Sequence, residues 1–188
     1  MKKFFLLFVI ILILDLSCKN NPTGPSLWGN LLPNPYFEMG GVPTLRGWKL
    51  SDSSIVGYST DLPAGGAGHS IILHSQAPSP WPGNSIYVPL SWMNGRYIFR
   101  ISVFGKKTGS GGGIYLYHHR PNGINSAPVC SLVITDSLWR YYSCLDTLRL
   151  LTNDTIFVTI HGGVTGARRG TTYFNTCKFE KLNFVGIF

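Results

Sequence analysis

The chain is poor in acidic residues, with 8 Asp and Glu against 16 Lys and Arg in 188 residues, and its formal net charge is +8. Glycoside hydrolysis normally needs two carboxyl groups that flank the scissile bond, and the few acids beyond the first twenty residues suggest no such pair. No Gly-x-Ser-x-Gly nucleophile motif occurs. Adjacent His118 and His119 would point to opposite faces of a strand, so they would not chelate one metal ion together. The sequence therefore predicts a protein that is not an enzyme.

The excess of positive charge does not form a nucleic-acid-binding pattern. Basic residues are scattered singly apart from Lys106-Lys107 and Arg168-Arg169, so no basic stripe is formed. We expect no nucleic-acid partner. The charge instead favours contact with anionic lipid headgroups or acidic polysaccharide, an attraction that salt would screen.

Amphipathic helical patterns are also lacking, whereas short alternating segments are frequent. The chain has 22 Gly, 12 Pro and 13% aromatic residues, a composition typical of strands joined by tight turns. In GRYIFRISVFGK, residues 95–106, the large apolar side chains fall on one face and Arg100 falls on the other. Nine or ten such segments predict one all-β domain, a sandwich or barrel of antiparallel strands.

The first residues have the features of an export signal. Lys2 and Lys3 precede an apolar run over residues 4–14, which is too short for the roughly 20 residues of a membrane span. The end of this run resembles the lipobox of bacterial lipoproteins, with Asp15 where leucine is usual. We therefore expect a signal peptide over 1–18 with lipidation at Cys18, a tether over 19–30 and a domain over 31–188. The alternative is an ordinary cleaved signal in which Cys18 has no role.

Export predicts an extracytoplasmic protein anchored to the bacterial cell envelope, with the outer membrane expected, and it permits disulfides. If the segments around Cys130 and Cys144 paired through a tight turn near residues 136–137, the two cysteines would lie nearly opposite. They are the expected disulfide, which leaves Cys177 as a thiol. The alternative is three buried thiols. A zinc site is not expected, because no Cys-x-x-Cys pair occurs.

The order of several short motifs resembles a known family. NPYFE at 34–38 is followed by GWKL at 47–50, then by GGAGHSIIL, GRYIFRISVFGKKTG, LWRYYSCL and TTYFNTCKFEKL. This series resembles carbohydrate-binding modules of the family 4/9 and 22 type and covers residues 31–183. The resemblance implies a galactose-binding-domain-like jelly-roll β-sandwich of two antiparallel sheets that binds carbohydrate without catalysis.

The resemblance also implies a structural calcium ion. In such modules an early glutamate and a late aspartate help to hold calcium between the first and last strands, and here Glu38 and Asn175 occupy those positions. An amide oxygen can ligate calcium, with one negative charge fewer than a carboxylate. The alternative is that Glu38 and Asn175 only satisfy backbone groups where the terminal strands meet.

Strand alternation predicts a ligand surface. The resemblance places three of the strands in one sheet with a concave outer face, and alternation turns six rings onto that face: Tyr87, Tyr115, Tyr117, His119, Phe157 and His161. Sugar rings would stack on these side chains, while His119 and Arg120 would bind hydroxyl groups. The alternative is that a loop or another copy of the protein covers the rings. A second candidate site is the loop edge with Trp81, Trp92, Arg168 and Arg169.

The function predicted from these observations is a non-catalytic carbohydrate-binding lipoprotein with a poly- or oligosaccharide ligand. The alternative uses the same fold as a structural or adhesion module that contacts an envelope protein and binds no sugar.

Overall fold

The computed structural model of the chain describes residues 29–51, 55–75, 85–91, 94–121, 123–124, 128–163 and 170–186. The predicted signal peptide, Cys18 and the loop-edge residues Trp81, Trp92, Arg168 and Arg169 lie outside these ranges. Within them, the regular elements are all strands. This part of the chain also holds no helix of the length and apolarity needed to cross a membrane.

The strands follow one another closely along the chain. In order they are β1 (Glu38–Met39), β2 (Val42–Pro43), β3 (Lys49–Leu50), β4 (Val56–Ser59), β5 (Ser70–Ser75), β6 (Ser85–Ser91), β7 (Gly95–Gly109), β8 (Gly113–Arg120), β9 (Gly123–Ile124), β10 (Cys130–Val133), β11 (Arg140–Leu150), β12 (Thr155–His161) and β13 (Gly170–Gly186).

These strands form two large antiparallel sheets. The six-stranded sheet has the order β10-β8-β12-β6-β3, with β9 paired to β8, and the five-stranded sheet has the order β11-β7-β13-β5-β4. Strands β1 and β2 form a separate hairpin. Buried side chains of both large sheets belong to one hydrophobic cluster. The predicted all-β sandwich of two antiparallel sheets is therefore confirmed.

The core follows the alternation seen in the sequence. In β7 the side chains of Tyr97, Phe99, Ile101 and Val103 are all buried, whereas Arg100 on the other face is not. The Phe99 ring stacks on Phe179 of the adjacent strand β13 with centroids 5.0 Å apart. Full burial of one such side chain contributes about 1.5–3 kcal/mol, so these positions hold the two sheets together.

The opening segment of the domain contributes to the same core. Phe37 and Trp48 are buried with ring centroids 5.7 Å apart, and the Trp48 indole N–H donates to the Asn34 carbonyl at 3.0 Å. Asn30, which we assigned to the tether, forms a β-bridge with Glu180 and accepts a hydrogen bond from the Phe179 amide. Asn30, one residue before the predicted start of the domain at 31, is therefore bonded to the last strand of the fold.

The segments that carry Cys130 and Cys144 do not form the predicted hairpin. Strand β10 belongs to the six-stranded sheet and β11 to the five-stranded sheet, and buried Ile134 lies where the chain passes from one to the other. A disulfide joins Cys130 to Cys144 and so links the two sheets directly. Cys177 is a buried thiol whose pKa is raised by burial.

Candidate functional site

The outer face of the six-stranded sheet carries an array of rings. In β8 the side chains of Ile114, Leu116 and His118 are buried, while Tyr115 and Tyr117 between them are partly exposed. The same alternation in β6, β8 and β12 assigns the remaining rings of the predicted set to this side of the sheet. We call this surface the aromatic face and define it by six residues: Tyr87, Tyr115, Tyr117, His119, Phe157 and His161.

The register of the strands places these residues in rows across the sheet. Tyr115 of β8 pairs with Thr159 of β12, which pairs with Tyr87 of β6. In the next row Tyr117 pairs with Phe157. Paired residues of antiparallel strands lie on the same face, and neighbouring strands are about 4.8 Å apart. The two tyrosines of the first row therefore stand about 10 Å apart, on either side of the short side chain of Thr159.

Contacts between the rings join them in two groups, one around Phe157 and one around Tyr115. The Phe157 ring lies 6.1 Å from Tyr87 and 6.1 Å from His119, and Tyr115 lies 6.3 Å from Tyr117. All five of these side chains are intermediate in exposure. The rings are thus supported by one another while part of each surface is open to solvent.

The hydroxyl groups of Tyr115 and Tyr117 on this face stay protonated at neutral pH. Burial raises the pKa of Tyr115, and burial together with the Tyr115 charge raises the pKa of Tyr117 to about 12. Each protonated hydroxyl can both donate and accept a hydrogen bond. The face therefore offers apolar ring surface with polar groups at its margin.

His161 and Arg120 do not have the roles that the sequence suggested. His161 is 95% buried, and the Tyr115 ring packs edge-on against it at 4.8 Å. Burial lowers the pKa of His161 to about 3, so a neutral imidazole supports Tyr115 from below and has little surface for a ligand. Arg120 is exposed at the end of β8, and alternation assigns it to the opposite side of the strand from His119.

Directly beneath the aromatic face lies a buried polar pair that the sequence did not reveal. His118 Nε2 and Asp154 Oδ2 are 2.6 Å apart, and both side chains are buried. The same Asp154 oxygen accepts a hydrogen bond from the Leu151 amide at 2.8 Å. Because His118 lies between Tyr117 and His119 in β8, this pair fixes the strand that carries three of the rings.

Glu38 and Asn175 converge on the segment that precedes β5. The Glu38 carboxylate is 2.9 Å from His69 Nδ1, and the Asn175 side-chain NH₂ donates to the carbonyls of Ala67 and His69 at 2.9 and 3.1 Å. Gly68, with φ of +70°, lies so close that an added Cβ would approach Tyr36 to 2.8 Å. These contacts tie the segment to the first and last strands.

The same contacts bear on the expected calcium ion. Calcium takes six to eight oxygen ligands. In the structure the Glu38 carboxylate is hydrogen-bonded to the imidazole of His69, and the Asn175 side-chain oxygen accepts a hydrogen bond from the Thr176 hydroxyl at 2.6 Å. The described residues hold no group of three or more His, Cys, Asp or Glu placed to bind a metal. Calcium therefore stays an expectation from the sequence and is not part of the function proposed below.

Every carboxylate in the described residues has a hydrogen-bond partner outside the aromatic face. The pairs are Glu38 with His69, Asp61 with Lys106, Asp136 with Tyr142, Asp146 with the Thr147 amide, Asp154 with His118, and Glu180 with Arg100. No two of them flank a common open space on the ring surface, and so this part of the chain offers that surface no acid–base pair.

A second aromatic cluster lies on the five-stranded sheet. The Trp139 indole donates to Asp61 at 3.0 Å, and Lys106, which also binds Asp61, lies over the rings of Trp139 and Tyr173 at 5.3 and 4.7 Å. The hydrogen bonds from Lys106 and Trp139 lower the pKa of Asp61. Because the lysine already covers these rings, this cluster offers less stacking surface than the aromatic face.

An open cavity of about 450 Å³ lies at the end of the five-stranded sheet, away from the aromatic face. It is lined by small or polar residues: His74, Ser75, Thr108, Gly109, Gly170 and Thr171. Apart from the imidazole of His74, it has no ring on which a ligand could stack. We therefore regard the aromatic face as the better candidate site.

Comparison with known proteins identifies the fold. No family model and no curated protein matches the chain. Among solved structures, the xylan-binding CBM22-1 domain from Paenibacillus barcinonensis Xyn10C matches with a TM-score of 0.54 and 14% identity, over 85% of this chain and 99% of that one. A CBM61 module in complex with β-1,4-galactotriose matches with a TM-score of 0.52 and 15% identity, over 81% and 98%.

An enzymatically active domain also shares this architecture over part of its length. Tailspike protein 4 of bacteriophage CBA120 matches with a TM-score of 0.59 and 12% identity, and the chain spans only 22% of it. The two carbohydrate-binding modules, in contrast, are matched over nearly their entire length. The chain therefore has the jelly-roll β-sandwich fold of carbohydrate-binding modules.

Proposed function

We propose that this protein is a non-catalytic carbohydrate-binding domain whose ligand lies on the aromatic face. The observation that carries the proposal is the row of partly exposed rings, held in register across β6, β12 and β8 and in contact with one another. A patch of this kind on one sheet surface is typical of an interaction site.

The chemistry of the face suits sugars. A pyranose ring presents C–H groups on its faces, which can pack on Tyr117 and Phe157, while its hydroxyl groups need polar partners at the edges of the site. The protonated hydroxyls of the two β8 tyrosines and the imidazole of His119 supply such partners. Flat aromatic side chains bind at low entropic cost because few of their torsion angles are free.

Binding without catalysis follows from the same surface. Hydrolysis of a glycosidic bond would need two carboxyl groups beside the bound sugar, and the described carboxylates are all engaged elsewhere. Two structural neighbours are a xylan-binding domain and a module in complex with β-1,4-galactotriose. They support a poly- or oligosaccharide as the ligand class here.

The first prediction concerns binding across a glycan array. We expect the purified protein to bind one or more glycans, and Tyr117→Ala to weaken that binding about tenfold or more, because loss of a central aromatic contact at a hot spot costs about 2 kcal/mol or more. Tyr141→Ala is the matched control, since Tyr141 is 53% exposed on the five-stranded sheet.

The array should be run with calcium and with a chelator, because Glu38 and Asn175 are the residues expected to bind calcium and both are hydrogen-bonded to protein groups in the structure. If Tyr117→Ala and Tyr141→Ala weaken glycan binding equally, the aromatic face is not the binding site. If the protein binds none of the plant, algal and bacterial glycans, a sugar is not its ligand. That result would favour the alternative function, an adhesion module that contacts an envelope protein.

We also propose that the domain is held at the cell envelope by a lipid on Cys18, which would keep the aromatic face outside the cytoplasm. The lipobox-like sequence supports this proposal. We expect Cys18→Ala to move the protein from the membrane fraction to the soluble fraction of cells. Recovery of the variant with the membranes, at the wild-type level, would argue against the anchor.

A further inference from the structure

We infer that the ligand of the aromatic face is an anionic polysaccharide, one acidic group of which is bound by Lys49. This inference rests on the proposed function and specifies its substrate class. It comes from the position of Lys49 at the end of a row of rings, and from the distribution of charge around that row.

Lys49 extends the row that contains two tyrosines of the face. It pairs with Tyr87, so the row runs from Ser131 through Tyr115, Thr159 and Tyr87 to Lys49. Residues paired in this way share one face of the sheet. Lys49 is exposed and lies three strand spacings, about 14 Å, from Tyr115. A glycan chain that lies on the rings along this row would bring its next sugar to the ammonium group.

The electrostatic surroundings favour a negative ligand at that position. None of the described carboxylates belongs to the aromatic face, and each is hydrogen-bonded to another group. Lys49 is not among the residues that form ion pairs in the part of the chain that the structure describes. The chain as a whole has a net charge of +8, and such a field attracts polyanions before contact.

The strength of the effect follows from the exposure of Lys49. An ion pair at an exposed site changes an equilibrium by a few-fold, about two- to fivefold for a well-placed pair. Salt weakens it, because the Debye length is about 8 Å at physiological ionic strength. The rings would supply most of the affinity, and Lys49 would supply the preference for acidic over neutral sugars.

The test compares each acidic glycan with its uncharged derivative. Polygalacturonate should bind more tightly than its fully methyl-esterified form, or a sulfated galactan more tightly than its desulfated form, and the two pairs distinguish carboxylate from sulfate recognition. Lys49→Met should reduce that preference about two- to fivefold and leave the melting temperature unchanged. Lys178→Met, which removes the same charge from β13 of the other sheet, should not reduce it.

The outcomes separate this inference from the proposed function. Equal binding of charged and neutral partners, lost in Tyr117→Ala, would overturn the anionic ligand and leave the aromatic site standing. A preference for acidic glycans that both lysine variants reduce equally, or an affinity for acidic glycans that Tyr117→Ala does not weaken, would show nonspecific attraction to a basic protein and would also overturn the role of Lys49. No binding to any glycan would contradict the proposed function itself.

Discussion

His118→Leu is expected to lower the free energy of unfolding by about 3 kcal/mol, because it leaves the buried Asp154 carboxylate without its closest partner. The two side chains are 2.6 Å apart, and Asp154 is 99% buried. A loss of this size is a large part of the roughly 5–15 kcal/mol by which domains are stable. Urea denaturation of the variant and the wild type measures it.

A double variant distinguishes the pair from the packing of either side chain. In His118→Leu with Asp154→Asn the buried charge is absent, so the combined loss should be smaller than the sum of the two single losses. The His118→Leu variant should also bind glycans more weakly, since His118 fixes the strand between Tyr117 and His119. Single losses below about 0.5 kcal/mol, typical of surface substitutions, would show that the pair does not stabilise the fold.

Loss of the disulfide should have an effect of similar size. Cys130 and Cys144 are 14 residues apart and connect the two sheets. Opening a loop of about this length gives the unfolded chain more freedom, which costs about 3 kcal/mol of stability. We expect the Cys130→Ser/Cys144→Ser variant, and the wild type under reducing conditions, to unfold at lower urea concentrations than the oxidised protein.

The reductant provides the control for this prediction. It should change the unfolding midpoint of the wild type and have no further effect on the double serine variant, because the thiol of Cys177 is buried and forms no disulfide in the structure. A wild-type midpoint that is the same with and without reductant would contradict a stabilising role for the bond.

Local alternation in the sequence was enough to divide most strand residues between core and surface. The assignment of Tyr115 and Tyr117 to the outer face is correct, and Ile114 and Leu116 beside them are buried, because a strand has a strict period of two. Arg120 is an exception, because it was predicted to bind the ligand together with His119. The two residues are adjacent in β8, and alternation assigns adjacent residues to opposite faces.

Contacts between distant parts of the chain could not be predicted in this way. The spacing of Cys130 and Cys144 fits both a hairpin and a connection between two sheets, so the sequence does not decide between them. Ile134 is buried where the chain passes between the sheets, which is recognised only from the structure. Asp154 directly precedes β12, and nothing near it in the sequence indicates that His118 lies 2.6 Å away. His161 was assigned to the correct side of β12, but its burial beside the Tyr115 ring could not be predicted from alternation.

The measurement that tests the central claim most directly is a crystal structure of the protein with an oligosaccharide to which it binds in solution. The proposal predicts sugar carbons in van der Waals contact, within about 4.5 Å, with the rings of Tyr117 and Phe157 on the outer face of the six-stranded sheet. A sugar seated instead in the cavity lined by His74 and Thr171, with the aromatic face uncovered, would contradict it.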